Sequence, residues 1–336
     1  MRREYRAVVD AVGAILTHNL ADSTGSSVLK KGTCLSEEHL AQLAEMGRTS
    51  VEVIVLDADD VPEDEAATAL ARALQTEQLY PSKPAGGRVN LRTRQDGLLF
   101  VDAERLLELN LIRGITLATR RPQTVVGPNQ ETDNVATVKI VPFAVPRCLL
   151  DQAVALAERR PGIVEVRSFQ AGRRVAILLV AEPAAQDRLC NEYLPATRAR
   201  LERLRADLVC LETAGPEATS VGEAAGRLAE SVDLIIIASQ TSVQDEDEPI
   251  LVGLRSAGAE PTLSGAPVEP GNLLALAYFP RTAVLCAPGC ARGLKRSVMD
   301  LVLPRLLLGD RLDRRDVAAL GLGGFLTPAE RSGDVT

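Results

Sequence analysis

The second half of the chain alternates continuous apolar runs with amphipathic segments. The apolar runs predict strands buried on both faces, over residues 175–180, 208–211, 234–238, 274–278 and 283–286. The amphipathic segments predict helices over residues 184–204, 222–229, 249–256 and 294–308. Buried strands that alternate with helices form a mostly parallel sheet with helices on both faces. The pattern therefore predicts a three-layer α/β domain over residues 173–310.

Short strands mixed with single helices fill the first half, a pattern typical of an α+β region. Helices are predicted to begin after or at Ser36, Glu63, Asp102 and Pro146. Strands are predicted over residues 51–56, 89–91, 98–101, 115–118 and 135–141, the second and third as a strand pair. Pro- and Gly-rich text at 81–87 divides residues 1–172 into possible sub-domains, 1–80 and 83–172. Residues 311–336 are expected to form a C-terminal arm.

Composition narrows the classes of function. The chain has 336 residues, a formal net charge of −7, 3% aromatic residues and no Trp. Few aromatic and many acidic residues argue against a nucleic-acid surface. The sequence shows neither an apolar run of the ~18 residues that a membrane span needs nor a signal peptide. Six irregularly spaced cysteines fit reduced thiols, so the expected location is the cytoplasm.

Histidines and cysteines offer little catalytic or metal-binding material. The two histidines, His18 and His39, exclude a histidine-rich metal site. His39 is expected in the first turn of a surface helix, whereas nothing in the sequence around His18 assigns it a role. Cys286 and Cys290 are four positions apart, but two thiols alone cannot complete a zinc site. We interpret Cys286 as strand core and Cys290 as a loop residue.

A polar loop, residues 239–248, follows the predicted strand 234–238. In an open α/β sheet, ligands bind outside the carboxyl ends of the strands. Hydroxyl and amide groups that could hold a phosphate come first, at Ser239, Gln240, Thr241 and Ser242. Carboxylates that could hold a divalent cation follow at Asp245 and Asp247. The alternative is ordinary helix-start chemistry, with acidic residues before Pro249 as the first helical residue.

A second loop, residues 287–293, follows the predicted strand 283–286. If both strands are parallel, both loops emerge at one edge of the sheet. This loop leads to Arg292, Lys295 and Arg296 at the predicted start of a helix. The three cations predict an anion site in an acidic protein, and a solvated basic helix start is the alternative.

At these loops the chain resembles the molybdopterin-binding domain of the MoaB/Mog type. Molybdopterin molybdenumtransferases and molybdopterin adenylyltransferases share that domain. The matching segments are residues 233–247, 265–271, 285–290, 295–309 and 316–324. Segments of the first half also resemble a subgroup of stand-alone molybdopterin-binding proteins, over residues 97–110, 114–119 and 135–142. The resemblance thus extends over nearly the whole chain.

The resemblance implies binding of molybdopterin, or its adenylated form, in molybdenum cofactor biosynthesis. Asp245 and Asp247 would be the catalytic carboxylates and would hold Mg²⁺ while molybdate is placed on the dithiolene. Lys295 and Arg296 would offset the charge of the ligand. The residues implied to line the pterin and phosphate pocket are Ser239, Gln240, Thr241, Ser242, Pro270, Gly271, Pro288, Gly289 and Cys290.

Two departures from the family pattern leave the type of function open. Ser239 and Gln240 replace paired glycines, which would allow positive φ and close backbone approach to a phosphate. A second family acid has no clear counterpart, and Glu217 is only the nearest residue. The retained Asp247 and the intact Pro-Gly segments favour a transferase of the molybdenumtransferase kind, which is the first expectation. The replaced glycines favour the alternative, a non-catalytic carrier or degenerate module that serves a molybdoenzyme. Expected partners are a pterin phosphate and a molybdoenzyme or another biosynthetic protein, without nucleic acid or membrane; a homo-oligomer is possible.

Overall fold

The computed structural model describes residues 1–21, 26–129 and 133–327. The chain divides into two compact units, Met1–Arg167 and Ser168–Thr336. The finer divisions expected from the sequence, the two sub-domains of the first half and the C-terminal arm, remain predictions. Among the described residues, no helix is both long and apolar enough to span a membrane.

The first unit contains mainly antiparallel strands and four α-helices within its described residues. Its strands are β1 (Arg2–Ala7), β2 (Ile15–Leu16), β3 (Leu20–Ala21), β4 (Ser27–Leu29), β5 (Ser50–Val55), β6 (Asp60–Pro62), β7 (Leu79–Pro81), β8 (Arg88–Thr93), β9 (Gly97–Val101), β10 (Ile115–Thr119), β11 (Val125–Val126), β12 (Asn134–Ile140), β13 (Ala144–Pro146) and β14 (Val164–Ser168). Its helices are α1 (Glu37–Glu45), α2 (Glu63–Ala73), α3 (Ala103–Asn110) and α4 (Arg147–Ala157).

These strands form small sheets rather than one large sheet. The largest has the order β10-β12-β8-β7, and others have the orders β1-β5-β2 and β11-β9-β14. The main core of the unit buries one side of β8 and β12 against α2, and α4 packs on α2. The predicted pairing of 89–91 with 98–101 is wrong, because β8 and β9 lie in different sheets. β8 pairs instead with β7 and with β12, and the partners on β12 lie more than 40 positions away, where local pattern gives no signal.

Two helices in this unit, α1 and α3, begin with the predicted side-chain caps. The Ser36 side chain accepts from His39 N, and His39 Nδ1 accepts from Ser36 N at 3.1 Å. At α3, the Asp102 carboxylate accepts from Arg105 N at 3.0 Å. Each bond satisfies a backbone donor that the first helical turn leaves without a partner.

The second unit is the predicted layered α/β domain. Its strands are β15 (Arg173–Val180), β16 (Ala206–Ala214), β17 (Leu234–Ser239), β18 (Glu260–Ser264), β19 (Ala275–Tyr278) and β20 (Ala283–Cys286). Its helices are α5 (Pro183–Arg203), α6 (Ala218–Ala229), α7 (Pro249–Ser256), α8 (Met299–Leu307) and α9 (Arg314–Ala318). A short 3₁₀ turn, Gly289–Arg292, precedes α8.

These strands form one six-stranded sheet of order β16-β15-β17-β20-β19-β18. β16, β15, β17 and β20 run parallel, and β19 is antiparallel to both β20 and β18. Every residue of β17 is buried, as the continuous apolar run predicted. The α/β class with a mostly parallel sheet, preceded by a mixed first half, is therefore confirmed.

In the structure, two helices begin at residues other than those predicted, and one strand was not predicted. α8 begins at Met299 rather than at residue 294, and α6 begins at Ala218 rather than at residue 222. The edge strand β18 was not predicted, because its first residues, Glu260 and Pro261, are poor strand formers.

Helices α6 and α7 pack at very close range through glycines. A Cβ added to Gly222 would lie 2.6 Å from the carbonyl oxygen of Gly253, and one added to Gly253 would lie 2.2 Å from that of Ala218. One turn along α6, a Cβ on Gly226 would lie 3.8 Å from the Ala257 Cβ, an ordinary contact.

We expect Gly222→Ala to lower the free energy of unfolding by about 1–3 kcal/mol, because the added methyl group overpacks a backbone contact. Gly226→Ala is the matched control on the same helix. It should leave stability unchanged or raise it by about 0.5–1 kcal/mol through helix propensity. Urea unfolding of both variants measures the difference, and equal stabilities would contradict the packing argument.

Candidate functional site

The carboxyl ends of the four parallel strands lie at one edge of the sheet. In the strand register, Val180 is opposite both Ala214 and Ser239, and Ile237 is opposite Cys286. The segments that follow β15, β16, β17 and β20 therefore emerge side by side. We call this edge, with those segments, the carboxyl edge.

The segment after β17 uses its polar groups within the protein. Ser239 is buried, and its hydroxyl donates to Thr241 O at 2.5 Å. Gln240 is exposed, and its Oε1 accepts from Glu182 N at 3.4 Å. Ser239 and Gln240 thus stabilise the loop itself, and Gln240 links it to the segment after β15.

The segments after β17 and β20 are joined by side chains. The Ser242 hydroxyl accepts from Gly289 N at 3.0 Å. Arg292 donates through Nη2 to Gln240 O at 3.3 Å, and its Nε lies 3.3 Å from a Glu192 carboxylate oxygen. The structure therefore brings the two predicted loops together, with Ser242 and Arg292 as the links.

Helix α5 supports the segment after β20 through an aromatic ring. The Tyr193 hydroxyl donates to Pro288 O at 3.4 Å, and the guanidinium of Arg292 lies 5.2 Å from the ring centroid of Tyr193. Burial raises the pKa of Tyr193. The phenol therefore remains a neutral donor that fixes Pro288, which is itself buried.

The third predicted segment, around Pro270 and Gly271, lies between β18 and β19. Because Ala275 at the start of β19 is opposite Cys286 at the end of β20, this connection also lies at the carboxyl edge. Pro270 O accepts from Val298 N at 3.1 Å. Gly271 has a φ of 126°, and a Cβ there would lie 2.3 Å from Val298 Cγ1. Only glycine fits this approach to the segment that precedes α8.

The predicted carboxylates lie on an exposed turn before α7. Asp245 and Asp247 are both exposed, and Asp245 Oδ1 accepts from Asp247 N at 2.8 Å. Within the described residues, no three His, Cys, Asp or Glu side chains gather where they could hold a metal ion. Glu217 is the nearest candidate in the sequence for the second acid of the family that the chain resembles. It is exposed at the N-cap position of α6, after β16.

The predicted cations lie before α8 rather than within it. Lys295 is exposed and Arg296 is half-buried. In the described part of the chain, neither side chain forms an ion pair, whereas Arg292 pairs with Glu192. The three cations therefore differ in role: Arg292 joins protein segments, and the charges of Lys295 and Arg296 have no carboxylate partner among those residues.

A buried arginine that the sequence reasoning did not single out holds this region. Arg200 on α5 is 2% exposed, and its guanidinium contacts the Asp300 carboxylate at 2.9 and 3.3 Å. It also donates to three carbonyl oxygens, those of Ala196 at 3.4 Å, Ala291 at 3.1 Å and Lys295 at 3.2 Å. Its place on the apolar stripe of α5, with Tyr193 and Leu201, was the signal that could have revealed it.

The histidines belong to the first unit. His39 is half-buried and completes the cap of α1, as its expected first-turn position implies. His18 is exposed, with Nε2 2.7 Å from a Glu52 carboxylate oxygen. Both side chains thus have local structural partners.

Cys286 is core, as predicted from its strand. Complete burial raises the pKa of Cys286 to about 12. Burial also raises the pKa of Cys290, which is half-buried in the 3₁₀ turn. A folded-state pKa above the unfolded value means that the folded chain keeps a proton that the unfolded chain releases. The contribution of Cys286 to stability is therefore lost as the pH rises from about 8.5 to 12.

We expect Cys286 to resist a thiol reagent in the folded protein at about pH 8, because a buried, protonated thiol is not nucleophilic. Cys34 and Cys148, which are exposed, serve as internal controls and should react rapidly. Peptide mapping after brief labelling measures each site, and labelling in denaturant should reach all six cysteines. Rapid labelling of Cys286 in the folded chain would contradict its place in the core.

Comparisons with known proteins give a short family match and distant structural similarities. A family model described as a domain of unknown function (DUF8806) matches residues 6–55. No curated protein matches the sequence. A molybdenum cofactor biosynthesis protein from Pyrococcus furiosus is 12% identical over 95% of this chain and 65% of its own length, with a TM-score of 0.25.

A second solved structure, the molybdopterin biosynthesis MoeA protein from Pyrococcus horikosii, is 12% identical. The match covers 92% of this chain and 75% of that protein, with a TM-score of 0.30. The chain thus spans 65% of the length of the P. furiosus protein, about two thirds. At these identities and TM-scores, neither similarity establishes the function of this chain.

Proposed function

We propose that this chain binds a phosphorylated pterin of the molybdopterin kind at the carboxyl edge and acts in molybdenum cofactor biosynthesis. The observation that carries the proposal is the pair Lys295 and Arg296. These adjacent cations lie beside the Gly271–Val298 contact, where the segments that resemble the molybdopterin-binding domain converge. They form no ion pair within the described residues, so their charge is available to an anion.

Electrostatics makes these two cations significant. The chain carries a net charge of −7, and because screening limits charge effects to about 8 Å, a phosphate is attracted only where cations are gathered locally. Charge-assisted hydrogen bonds between a phosphate and Lys or Arg are stronger than neutral ones. Two adjacent cations without a carboxylate partner among the described residues therefore offer such a ligand a local attraction. The Gly271 backbone, without a side chain, lies close to the segment that carries them.

The loop after β17 favours a carrier over a transferase. Glycines at positions 239 and 240 would let the backbone close on a phosphate, but here Ser239 and Gln240 hold the loop through their own side chains. A carrier needs to retain and release its ligand, and a phosphate held through Lys295 and Arg296 meets that requirement. We therefore place the carrier function first.

Transferase activity is the second candidate, and the turn that carries Asp245 and Asp247 favours it. Mg²⁺ is usually bound through one or two carboxylates together with water and phosphate oxygens. Two exposed carboxylates on a turn after β17 fit that donor set. When bound, Mg²⁺ would neutralise phosphate charge. Asp245 and Asp247 would hold it, while Lys295 and Arg296 would orient the anionic end of the ligand.

We expect Lys295→Glu with Arg296→Glu to weaken molybdopterin binding on the order of 10–100-fold, because each change replaces an attraction for phosphate with a repulsion. Calorimetric titration with molybdopterin, with and without Mg²⁺, measures the affinity. The matched control is Arg203→Glu with Arg281→Glu, an equal charge change at exposed positions before β16 and β20, at the opposite edge of the sheet.

The control should retain most of the affinity, since the proposed site lies beyond a Debye length of about 8 Å from those positions. Equal losses in both double variants would mean that net charge, rather than the carboxyl edge, attracts the ligand. Full affinity in the Lys295 and Arg296 variant would refute the proposed site.

A second experiment separates the carrier from the transferase. Ser239→Gly with Gln240→Gly should raise molybdopterin affinity, because glycines permit closer backbone approach to a phosphate. If the chain is a transferase, this variant should also insert molybdate faster. Adding Asp247→Ala should then abolish insertion while most of the binding remains.

The outcomes of that experiment differ for the two functions. Higher affinity without molybdate insertion at any Mg²⁺ concentration supports the carrier. If the glycine variant gains neither affinity nor insertion, the loop after β17 does not bind the phosphate. Thermal unfolding of each variant checks that the Ser239 hydroxyl bond to Thr241 is dispensable for folding.

A further inference from the structure

Residues 321–327 present an exposed aromatic ring. Phe325 is 71% exposed, whereas the other phenylalanines of the described chain are buried or half-buried. The chain has 3% aromatic residues and no Trp, so an aromatic ring in water is uncommon in this protein. Aromatic rings pack favourably on the faces of other planar ring systems. Phe325 therefore offers a contact surface to a flat ligand.

Backbone contacts hold this segment against the connection between β18 and β19, which lies at the carboxyl edge. Glu269 N donates to Gly324 O at 2.8 Å, and Leu326 N donates to Glu269 O at 2.9 Å. A Cβ on Gly324 would lie 2.2 Å from Pro267 O, so only glycine permits this close approach. Leu326 is 3% exposed and anchors the segment. The backbone of Phe325 is therefore fixed on both sides.

The same contacts place Phe325 and Glu269 side by side. The two residues are parallel bridge partners, and bridge partners project their side chains from the same face of a sheet. Their neighbours Val268 and Leu326 are buried, whereas Glu269 is exposed. Among the described residues, the Glu269 carboxylate has no ion-pair or hydrogen-bond partner. An aromatic ring and an uncommitted carboxylate thus lie next to each other.

This pair lies beside the segment that carries Lys295 and Arg296. Pro270, the residue after Glu269, accepts through its carbonyl oxygen from Val298 N at 3.1 Å. Val298 comes three positions after Lys295, and three residues span at most about 11 Å. The ring and the carboxylate therefore lie at one end of a hydrogen-bonded connection, and the two cations lie at the other.

An electrostatic effect supports this placement. Burial raises the pKa of the Cys290 thiol, and the negative charge of Glu269 raises it further. Because a charge acts in this way only at short range, the Glu269 carboxylate lies near the 3₁₀ turn Gly289–Arg292. That turn belongs to the loop after β20, so Phe325 and Glu269 border the same edge as the predicted binding loops.

Resting on the proposed function, we propose that Phe325 and Glu269 bind the ring of the pterin. The bicyclic ring stacks on the face of Phe325, in the offset arrangement that aromatic pairs prefer. The Glu269 carboxylate accepts from the ring N–H and the adjacent amino group of the pyrimidinone edge, since a carboxylate offers two acceptor oxygens. Specificity for a pterin then comes from one stacking face and one hydrogen-bonding edge.

Charge sets the orientation of the ligand in this arrangement. The Glu269 carboxylate repels a phosphate, whereas Lys295 and Arg296 attract it. The phosphate therefore lies at the cations, and the neutral ring lies at Phe325 and Glu269. The reverse orientation would place a phosphate against a carboxylate.

The ring subsite predicts that binding depends on an aromatic side chain at position 325. The probe is an oxidised pterin with a phosphate ester on its side chain, titrated calorimetrically against the full chain. Phe325→Ala and Phe325→Leu should each weaken binding on the order of 10-fold, and Phe325→Trp should retain it, because only Trp restores a stacking face. The matched control, Tyr5→Ala, removes a ring that is 76% exposed on β1 and should leave the affinity unchanged.

Phe325→Trp also supplies a spectroscopic measurement. Because the chain has no Trp, the tryptophan emission of this variant reports position 325 alone. The pterin phosphate should quench that emission, since pterins absorb light where tryptophan emits it and the two rings are in contact. Inorganic phosphate, which shares only the cations, should leave the emission unchanged.

The role of Glu269 is tested by ligand selectivity. The unmodified chain should bind the pterin phosphate on the order of 10-fold more tightly than an analogue with an oxo group in place of the amino group. Glu269→Gln keeps the size of the side chain but replaces one acceptor oxygen with a donor, so it should largely remove this preference. Structural damage alone would weaken both ligands equally and leave the preference unchanged, which would refute the role of Glu269.

The outcomes distinguish this inference from the proposed function. If binding of the pterin phosphate requires Lys295 and Arg296 but is unchanged in Phe325→Ala, the ring subsite is refuted and the proposed function stands. If an unphosphorylated pterin binds through Phe325 while the changes at Lys295 and Arg296 have no effect on the phosphorylated one, the ring subsite stands and the cation site is refuted. If neither pterin binds the unmodified chain, both are refuted.

Thermal unfolding verifies the fold of each variant. If Phe325→Ala is unfolded, the emission of Phe325→Trp, which keeps a ring at this position, decides the question. Quenching by the pterin phosphate then supports the ring subsite, and an unchanged emission refutes it.

Discussion

A single buried charge, the guanidinium of Arg200, organises the carboxyl edge of the second unit. Burying a cation costs several kcal/mol unless its hydrogen bonds are satisfied. Here the Asp300 carboxylate and the carbonyl groups of Ala196, Ala291 and Lys295 together accept from it. Removing one partner of such a pair typically costs about 3–5 kcal/mol. The constraint therefore fixes the path of the chain between β20 and α8 relative to α5.

That path determines which groups a ligand can reach. The guanidinium of Arg200 donates from all three of its nitrogen atoms to the Asp300 carboxylate and to three carbonyl groups. It therefore has no donor left for a ligand. By holding Lys295 O, it keeps the Lys295 backbone against α5, and the Lys295 side chain is exposed. Arg292, held by Glu192 and Gln240, joins the neighbouring segments. Of the four cations in this region, Lys295 and Arg296 are thus the two that are not committed to protein contacts of this kind, and the proposed ligand site rests on them.

The sequence pattern predicted the second unit well where all residues of a strand are buried, and less well where contacts join residues that are distant in the sequence. The runs at residues 234–238 and 283–286, which form β17 up to Ser239 and β20, are apolar at every position. Such runs are typical of strands that are buried on both faces. The predicted start of α8 was wrong because the helical pattern continues back to residue 294. In the structure the Lys295 carbonyl accepts a hydrogen bond from Arg200, which lies 95 positions away in the sequence, and the helix begins only at Met299. Likewise, the Ser242 contact with Gly289 joins residues 47 positions apart, and no local pattern encodes it.

The carboxyl edge therefore combines opposite charges in neighbouring segments. Asp245 and Asp247 follow β17, Lys295 and Arg296 follow β20, and these two strands are adjacent in the sheet. At physiological ionic strength, charges within about 8 Å act on a ligand while the rest of the net charge of −7 is largely screened. A phosphate near the cations is then attracted by one segment and repelled by the other. A divalent cation on the acidic turn would convert that repulsion into attraction, so the two proposed functions differ in whether they require Mg²⁺ at Asp245 and Asp247.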